Sequence, residues 1–187
     1  MRLGIVSDIH GQTDALGRAI GAMGAVDRLL CLGDSIQQGQ FCNETVALLR
    51  GSDALTIRGN HEEAFFAGTG RRMRGVDPLL ADWLAARPAS IAFEATGRRV
   101  MLVHSTPWWS NHAYVSQLHP DFARFAAAEA DVVLYGHTHQ PVVQQVGDVL
   151  VVNPGSVGEG RPTRAGFVRS FAILDLVAMA AEIIDLD

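Results

Sequence analysis

Five times along this chain a short apolar run ends in residues of the kind that bind metal ions. Leu3-Gly4-Ile5-Val6-Ser7 leads to Asp8 and His10, and Leu29-Leu30-Cys31-Leu32-Gly33 leads to Asp34. Ala54-Leu55-Thr56-Ile57-Arg58-Gly59 leads to Asn60 and His61. Val100-Met101-Leu102-Val103 leads to His104, and Val132-Val133-Leu134-Tyr135-Gly136 leads to His137 and His139. Runs this apolar read as strands buried on both faces. Helices are expected between the early runs, over about 13–23 and about 41–50, with Thr13 as the N-cap of the first. A β-α-β-α-β beginning implies a largely parallel sheet with right-handed crossovers. In such sheets ligands bind beyond the carboxyl ends of the strands, where all five polar clusters fall.

The second half reads differently. Gly147-Asp148 between Val142–Val146 and Val149–Val152 is a hairpin signal. The stretches 167–176 and 179–186 are expected to form a further antiparallel pair. The residues thus predict a mixed α/β protein with two packed sheets.

At 187 residues without repeat or linker, a single domain over 1–187 is expected. Hydrophobic residues make up 48% and charged residues 19%, which argues against disorder. No apolar stretch approaches the roughly 20 residues of a membrane span. Only seven residues precede Asp8, so no secretory leader is expected. Cys31 and Cys42 read as reduced thiols, and the expectation is a cytoplasmic enzyme. All 15 basic residues are Arg, which excludes Lys Schiff-base chemistry and a phosphate-loop lysine. A net charge of −5 counts against general nucleic-acid binding, and two divalent cations would bring it near −1.

Asp8 and His10 are two apart, as are His137 and His139, so in extended segments each pair would point one way. Mixed oxygen and imidazole ligands suit Mn, Fe, Co, Ni or Zn better than Mg or Ca. Five of the seven histidines lie in the clusters; His112 and His119 do not. An isolated strand-end histidine is more often a hydrogen-bonding residue, but five together with two Asp and an Asn point to a metal centre.

The ordered blocks Asp8-Ile9-His10, Gly33-Asp34, Gly59-Asn60-His61-Glu62, His104 and Gly136-His137-Thr138-His139 resemble the calcineurin-like metallophosphoesterase superfamily. Asn153-Pro154-Gly155-Ser156-Val157 and the stretch 170–175 look like the ending of its small microbial phosphodiesterase branch. The resemblance implies a four-layer α/β/β/α sandwich, with two mixed β-sheets flanked by helices. It implies two divalent metal ions, manganese serving in vitro. Asp8, His10 and His139 would hold the first ion, Asn60, His104 and His137 the second, and Asp34 both. Two ions can clamp a phosphoryl group and bring a water's pKa to about 7, for in-line attack by a bridging hydroxide. His61 would act as general acid or phosphate contact, and Arg58 would stabilise phosphoryl charge, unless it makes a strand-end salt bridge.

Other positions admit plainer readings. Glu62 reads as charge complementing a helix dipole. Ser105, where many relatives have Gly, would narrow the approach to the metals. Trp108 and Trp109 could stack on a base, but packing in the core or at a homo-oligomer contact is the simpler expectation. Arg71, Arg72 and Arg74 read as a solvated charge run or as a catch for an anionic group. The resulting expectation is a phosphodiesterase or nucleotide-directed hydrolase acting on a small phosphorylated substrate. A Ser/Thr-type protein phosphatase, a dinucleotide polyphosphatase and a non-catalytic scaffold, such as the retromer subunit of this fold, are the alternatives.

Overall fold

Two five-stranded sheets lie face to face, because the apolar runs alternate between an inner and an outer face. The computed structural model describes residues 1–68, 70, 73–108, 112–164 and 166–186. The first sheet contains β1 (Arg2–Val6), β2 (Arg28–Cys31), β3 (Leu55–Thr56), β11 (Ser170–Asp175) and β12 (Ala180–Asp185), in the order β12-β11-β1-β2-β3. β1, β2 and β3 are parallel, β11 pairs antiparallel with β1, and β12 pairs antiparallel with β11. The second contains β4 (Ser90–Ala95), β5 (Arg98–Val103), β6 (Val132–Leu134), β7 (Val142–Val146) and β8 (Val149–Asn153), in the order β4-β5-β6-β8-β7. β5, β6 and β8 are parallel, with antiparallel β4 and β7 at the edges. Both sheets are therefore mixed. The two-residue loop between β7 and β8 has Gly147 at φ +59°, as its first position requires in a type II′ turn.

Leu3, Ile5, Leu30, Val100, Leu102, Val132, Leu134, Leu150, Val152, Ala172 and Leu174 meet between the sheets. Their neighbours in sequence face outward. Val6, Leu29, Cys31, Phe171 and Ile173 pack under α1 (Thr13–Met23) and α2 (Asn43–Gly51). Val103, Val133, Tyr135, Val149 and Val151 pack under a 3₁₀ helix, Pro120–Ala127. The expected α/β/β/α layering is present, with a 3₁₀ helix and loops as its fourth layer. No helix among the described residues is long and apolar enough to cross a membrane.

Several local expectations change. Thr13 opens α1, but Gln12 is the residue before it and makes no side-chain cap bond. The Thr13 hydroxyl instead lies 2.7 Å from Thr45 Oγ1 and 3.4 Å from Cys42 Sγ, tying α1 to α2. α2 begins at Asn43 rather than near 41. The expected strand over 167–176 breaks at Arg169. Its first part, β10 (Gly166–Val168), folds back on β9 (Arg161–Thr163), and only β11 joins the main sheet. Met179, at φ +52°, belongs to the turn before β12. α3 (Asn60–Ala67) carries Glu62 in its first turn, as the helix-end reading of that residue implied, whereas α4 (Pro78–Ala85) and β4 were not foreseen. For α4 the signal was in the sequence: the Asp77 carboxylate accepts from Leu79 and Leu80 N–H, ahead of Pro78 in the first turn.

Leu134 is fully buried between the sheets. Leu134→Ala is expected to cost about 2–5 kcal/mol, read as a lower urea midpoint with an unchanged denaturant slope.

Candidate metal centre

Every candidate ligand follows the carboxyl end of a parallel strand. Asp8 and His10 follow β1, Asp34 follows β2, and Asn60 and His61 open α3 just after β3. His104 follows β5, and His137 and His139 follow β6. The two halves of the site therefore come from different sheets. The extended geometry expected at Asp8-His10 and His137-His139 is not what aims them. Asp8 (φ +51°), His10 (+51°), Asp34 (+50°), His137 (+64°) and His139 (+57°) are all left-handed. Non-glycine residues avoid that region at a cost on the order of 1–3 kcal/mol each when held there, and such strain gathers at functional sites. Hydrogen bonds hold these turns. Asp8 N–H donates to Gly33 O, His10 N–H to Asp34 O, and His137 N–H to Asp8 Oδ2.

Glycines let the loops touch. A Cβ on Gly59 would lie 2.2 Å from Asp34 Oδ1, and one on Gly136 2.7 Å from Asp8 Oδ2. The side chains form linked clusters with donor atoms within 4.8 Å of one another: Asp8-His10-His139, His10-Asp34-His61 and Asp34-His104-His137. Asp34 belongs to two of them. Asn60 joins through its Oδ1, 3.0 Å from His104 Nε2.

Three of the rings are aimed by their outer nitrogens. His104 Nδ1–H donates to Leu32 O at 2.7 Å, turning Nε2 towards Asp34 Oδ2 at 3.3 Å. His137 Nε2–H donates to His112 O at 2.7 Å, leaving Nδ1 for the centre. Gln38 N–H donates to His61 Nδ1 at 3.0 Å, so the proton of the neutral ring sits on Nε2, 3.9 Å from Asp34 Oδ2. His10 Nε2 and His139 Nε2 face each other at 3.2 Å, and His139 Nε2 lies 3.4 Å from Asp8 Oδ1. Asp8 Oδ1 is buried without a hydrogen-bond partner. The residues fit a cation well: an unsatisfied buried carboxylate oxygen and two imidazole nitrogens converge within 4.8 Å of one another.

Electrostatics follow from the packing. Burial opposes charge on Asp34, but the facing His104 outweighs it and holds the carboxyl well below the usual range. Burial pulls His104 down while Asp34 lifts it further, to about 9. Burial and then the facing His104 push His137 down to about 4. On His139, burial is outweighed by Asp8, with a smaller contribution from Glu159, so its pKa is raised.

Glu62 does far more than complement a helix dipole. Its fully buried carboxylate accepts from the backbone N–H groups of Asp34, Ser35, Ile36 and Gly59 and from the Ser35 hydroxyl. Burial pushes its pKa up, and the Ser35 and Gly59 donors pull it back. With donors converging on both oxygens, the geometry is that of a carboxylate.

A cleft of about 400 Å³ adjoins His104, lined among others by Arg58, Glu63, Ser105, Trp108 and His112. Arg58 Nε is buried there without a hydrogen-bond partner, which favours the anion-binding reading over a salt bridge. Ser105 forms part of the wall, with its hydroxyl donating to Ala113 O. Trp108 packs edge-on against Phe125 with Arg124 over its ring, as the packing reading requires. Arg74 is exposed; Arg71, Arg72 and Trp109 lie outside the described residues. His112 was set apart in the sequence, yet its ring lies 2.8 Å from Glu63 Oε2 and its carbonyl holds His137. Tyr114, also unforeseen, lies over the His137 ring at 3.9 Å. No local pattern marks either residue.

Two mixed sheets between helical layers, with an Asp/His cluster at their carboxyl ends, define a metal-dependent phosphoester hydrolase. The chain belongs to the calcineurin-like phosphoesterase superfamily, whose domain pattern matches residues 1–179. Phosphodiesterase YfcE of Escherichia coli is 28% identical over 195 residues, covering 96% of this chain and 92% of its own. A metallophosphoesterase from Sphaerobacter thermophilus superposes with a TM-score of 0.76 at 22% identity, over 100% of this chain and 89% of its own. A hypothetical protein from Pyrococcus horikoshii gives 0.81 at 15% identity, over 98% and 87%.

Glu62→Gln would turn an amide NH₂ against backbone donors that now meet a carboxylate. A cost of about 1–3 kcal/mol is expected, together with lower bound metal in elemental analysis, because Asp34 loses its anchor.

Proposed function

We propose that this chain hydrolyses phosphate diesters or nucleotide-type phosphoesters at a centre holding two divalent cations. The carrying observation is that Asp34 belongs both to the cluster with His104 and His137 and to the one with His10 and His61, as a residue serving two ions must. In this reading Asp8, His10 and His139 hold one ion, Asn60, His104 and His137 the other, and Asp34 both. Bound there, the ions supply an acidified water and neutralise charge on the phosphoryl oxygens.

The protein's own groups do the rest. His61 offers Nε2–H to the leaving oxygen, its tautomer set by Gln38. Arg58, with its free Nε in the cleft, binds a phosphoryl oxygen and orients the ester. The cleft beside His104 receives the leaving group. The diester preference draws support from the name of the Escherichia coli relative, a phosphodiesterase. Mn²⁺ is the ion proposed in vitro, and a small phosphorylated molecule in the cytoplasm is the proposed substrate.

The test is hydrolysis of matched p-nitrophenyl mono- and diesters, with Mn²⁺ added and then chelated. Metal-dependent turnover favouring the diester is expected; monoester preference would support the phosphatase alternative, and no turnover of either with metal bound would reject the reading. Asp34→Asn is expected to lower metal content and abolish most activity together. His61→Ala is expected to slow turnover on the order of 10²–10⁴-fold while elemental analysis finds metal retained. Loss of metal in that variant would make His61 a ligand instead.

A further inference from the structure

Three of the clustered imidazoles have their outer nitrogen engaged by a backbone group: Leu32 O for His104, His112 O for His137 and Gln38 N–H for His61. His10 Nδ1 is buried without a hydrogen-bond partner. His139 is different. Its Nδ1 faces the Glu159 carboxylate, with Oε2 at 3.5 Å, an ion-pair distance. Among the described residues, it is the clustered imidazole whose outer nitrogen meets a full negative charge.

We infer that Glu159 is a positioning residue for His139, fixing the ring with Nε2 inward and raising its basicity towards a divalent cation. The inference rests on the reading of Asp8, His10 and His139 as a cation site. A carboxylate on the outer nitrogen of a ligating histidine does two things: it selects the tautomer and strengthens the ring as a donor.

The backbone around Glu159 is built for placement. Ser156 Oγ donates to Asp8 O and accepts from Gly158 and Glu159 N–H. Val157 N–H donates to Ser7 O, and Gly158 N–H to Asp8 O. Glu159 therefore hangs from the same strap that grips the Asp8 loop, so its position is referenced to the site. A Cβ on Gly158 would lie 2.2 Å from Ile9 O, so a side chain there would push the strap off the Asp8 loop. On the other side, the Gln37 amide donates to Glu159 Oε1 at 3.4 Å, turning Oε2 to His139. Gln38, the next residue, is the one that sets His61. One turn after β2 thus bears, through Gln37 and Gln38, on the outer nitrogens of two rings that both neighbour His10.

Half of Glu159 is exposed (51%), so solvent screens its charge and its effect is that of an outer partner, not of a ligand. The experiment uses protein stripped with a chelator and titrated with Co²⁺, followed by calorimetry and visible absorption. Unsubstituted protein is expected to take up two equivalents. Glu159→Ala is expected to weaken one of them about 10- to 100-fold and to shift its absorption bands, with the other equivalent and the melting temperature unchanged. Glu159→Gln keeps an acceptor oxygen and should fall between the two. Affinities and spectra equal to those of unsubstituted protein in both variants would overturn the inference, as would equal weakening of both equivalents with a lower melting temperature, which marks a strap role alone. Absence of Co²⁺ uptake by unsubstituted protein would instead sink the reading of the centre, and this inference with it.

Discussion

A carboxylate with no access to water is a liability unless its lone pairs are met, and Glu62 meets this demand with groups from two separate loops. Three donors come from consecutive residues after β2 and one from Gly59 after β3, so the charge can be satisfied only when those loops lie side by side. The loops approach so closely that a side chain on Gly33 would strike the Gly59 backbone at 2.6 Å. Asp34 and Asn60 are carried into proximity by this arrangement. His61 N–H then donates to Asp34 Oδ1, closing the link from the other direction. A buried charge of this kind contributes little as a net attraction, but leaving it unpaired is expensive, and that asymmetry confines the loops to one geometry.

The same logic runs through the second sheet with neutral groups. The Asn153 amide donates to Gly136 O and Thr138 Oγ1 while its oxygen accepts from Gly155 N–H. It thereby shapes the turn from which His137 and His139 project. The two sheets meet where His137 N–H reaches the Asp8 carboxylate. Backbone strain at five of the site residues is stored between these clamps, and the clamps are what keep it from relaxing.

Strand ends and cluster membership were legible in the sequence because both are local: an apolar run and the polar residues just after it. The aiming of the side chains was not. Spacing of two suggested extended segments, yet the turns are left-handed, held by bonds to Gly33, Asp34 and Asp8 that no local pattern records. Glu62 looked like a helix-end charge because its helix position is visible, whereas all its partners but Gly59 lie 26–28 residues earlier. His112 and Glu159 escaped notice for the same reason, lying in irregular segments that only the fold brings to the rim. The strand over 167–176 was read as one because apolar residues flank Arg169-Ser170 on both sides, while the break there goes with the pairing of β10 to β9.

The chain order of these parts carries a consequence for synthesis. β1 is completed on one side by β2, 25 residues downstream, but on the other by β11, where Leu3 faces Leu174. Between the first and last partners, a ribosome adding about 5–20 residues per second spends roughly 7–30 s. For most of that interval Asp8 and His10 exist without His137 and His139, and for all of it the edge of β1 is open. Long-range pairing of this kind makes the closing step late. The nascent chain therefore holds its metal-type side chains once the segment after β6 has emerged, yet β1, which carries Asp8 and His10, is flanked on both sides only when β11 pairs, so the ligands exist before the frame that aims them is complete.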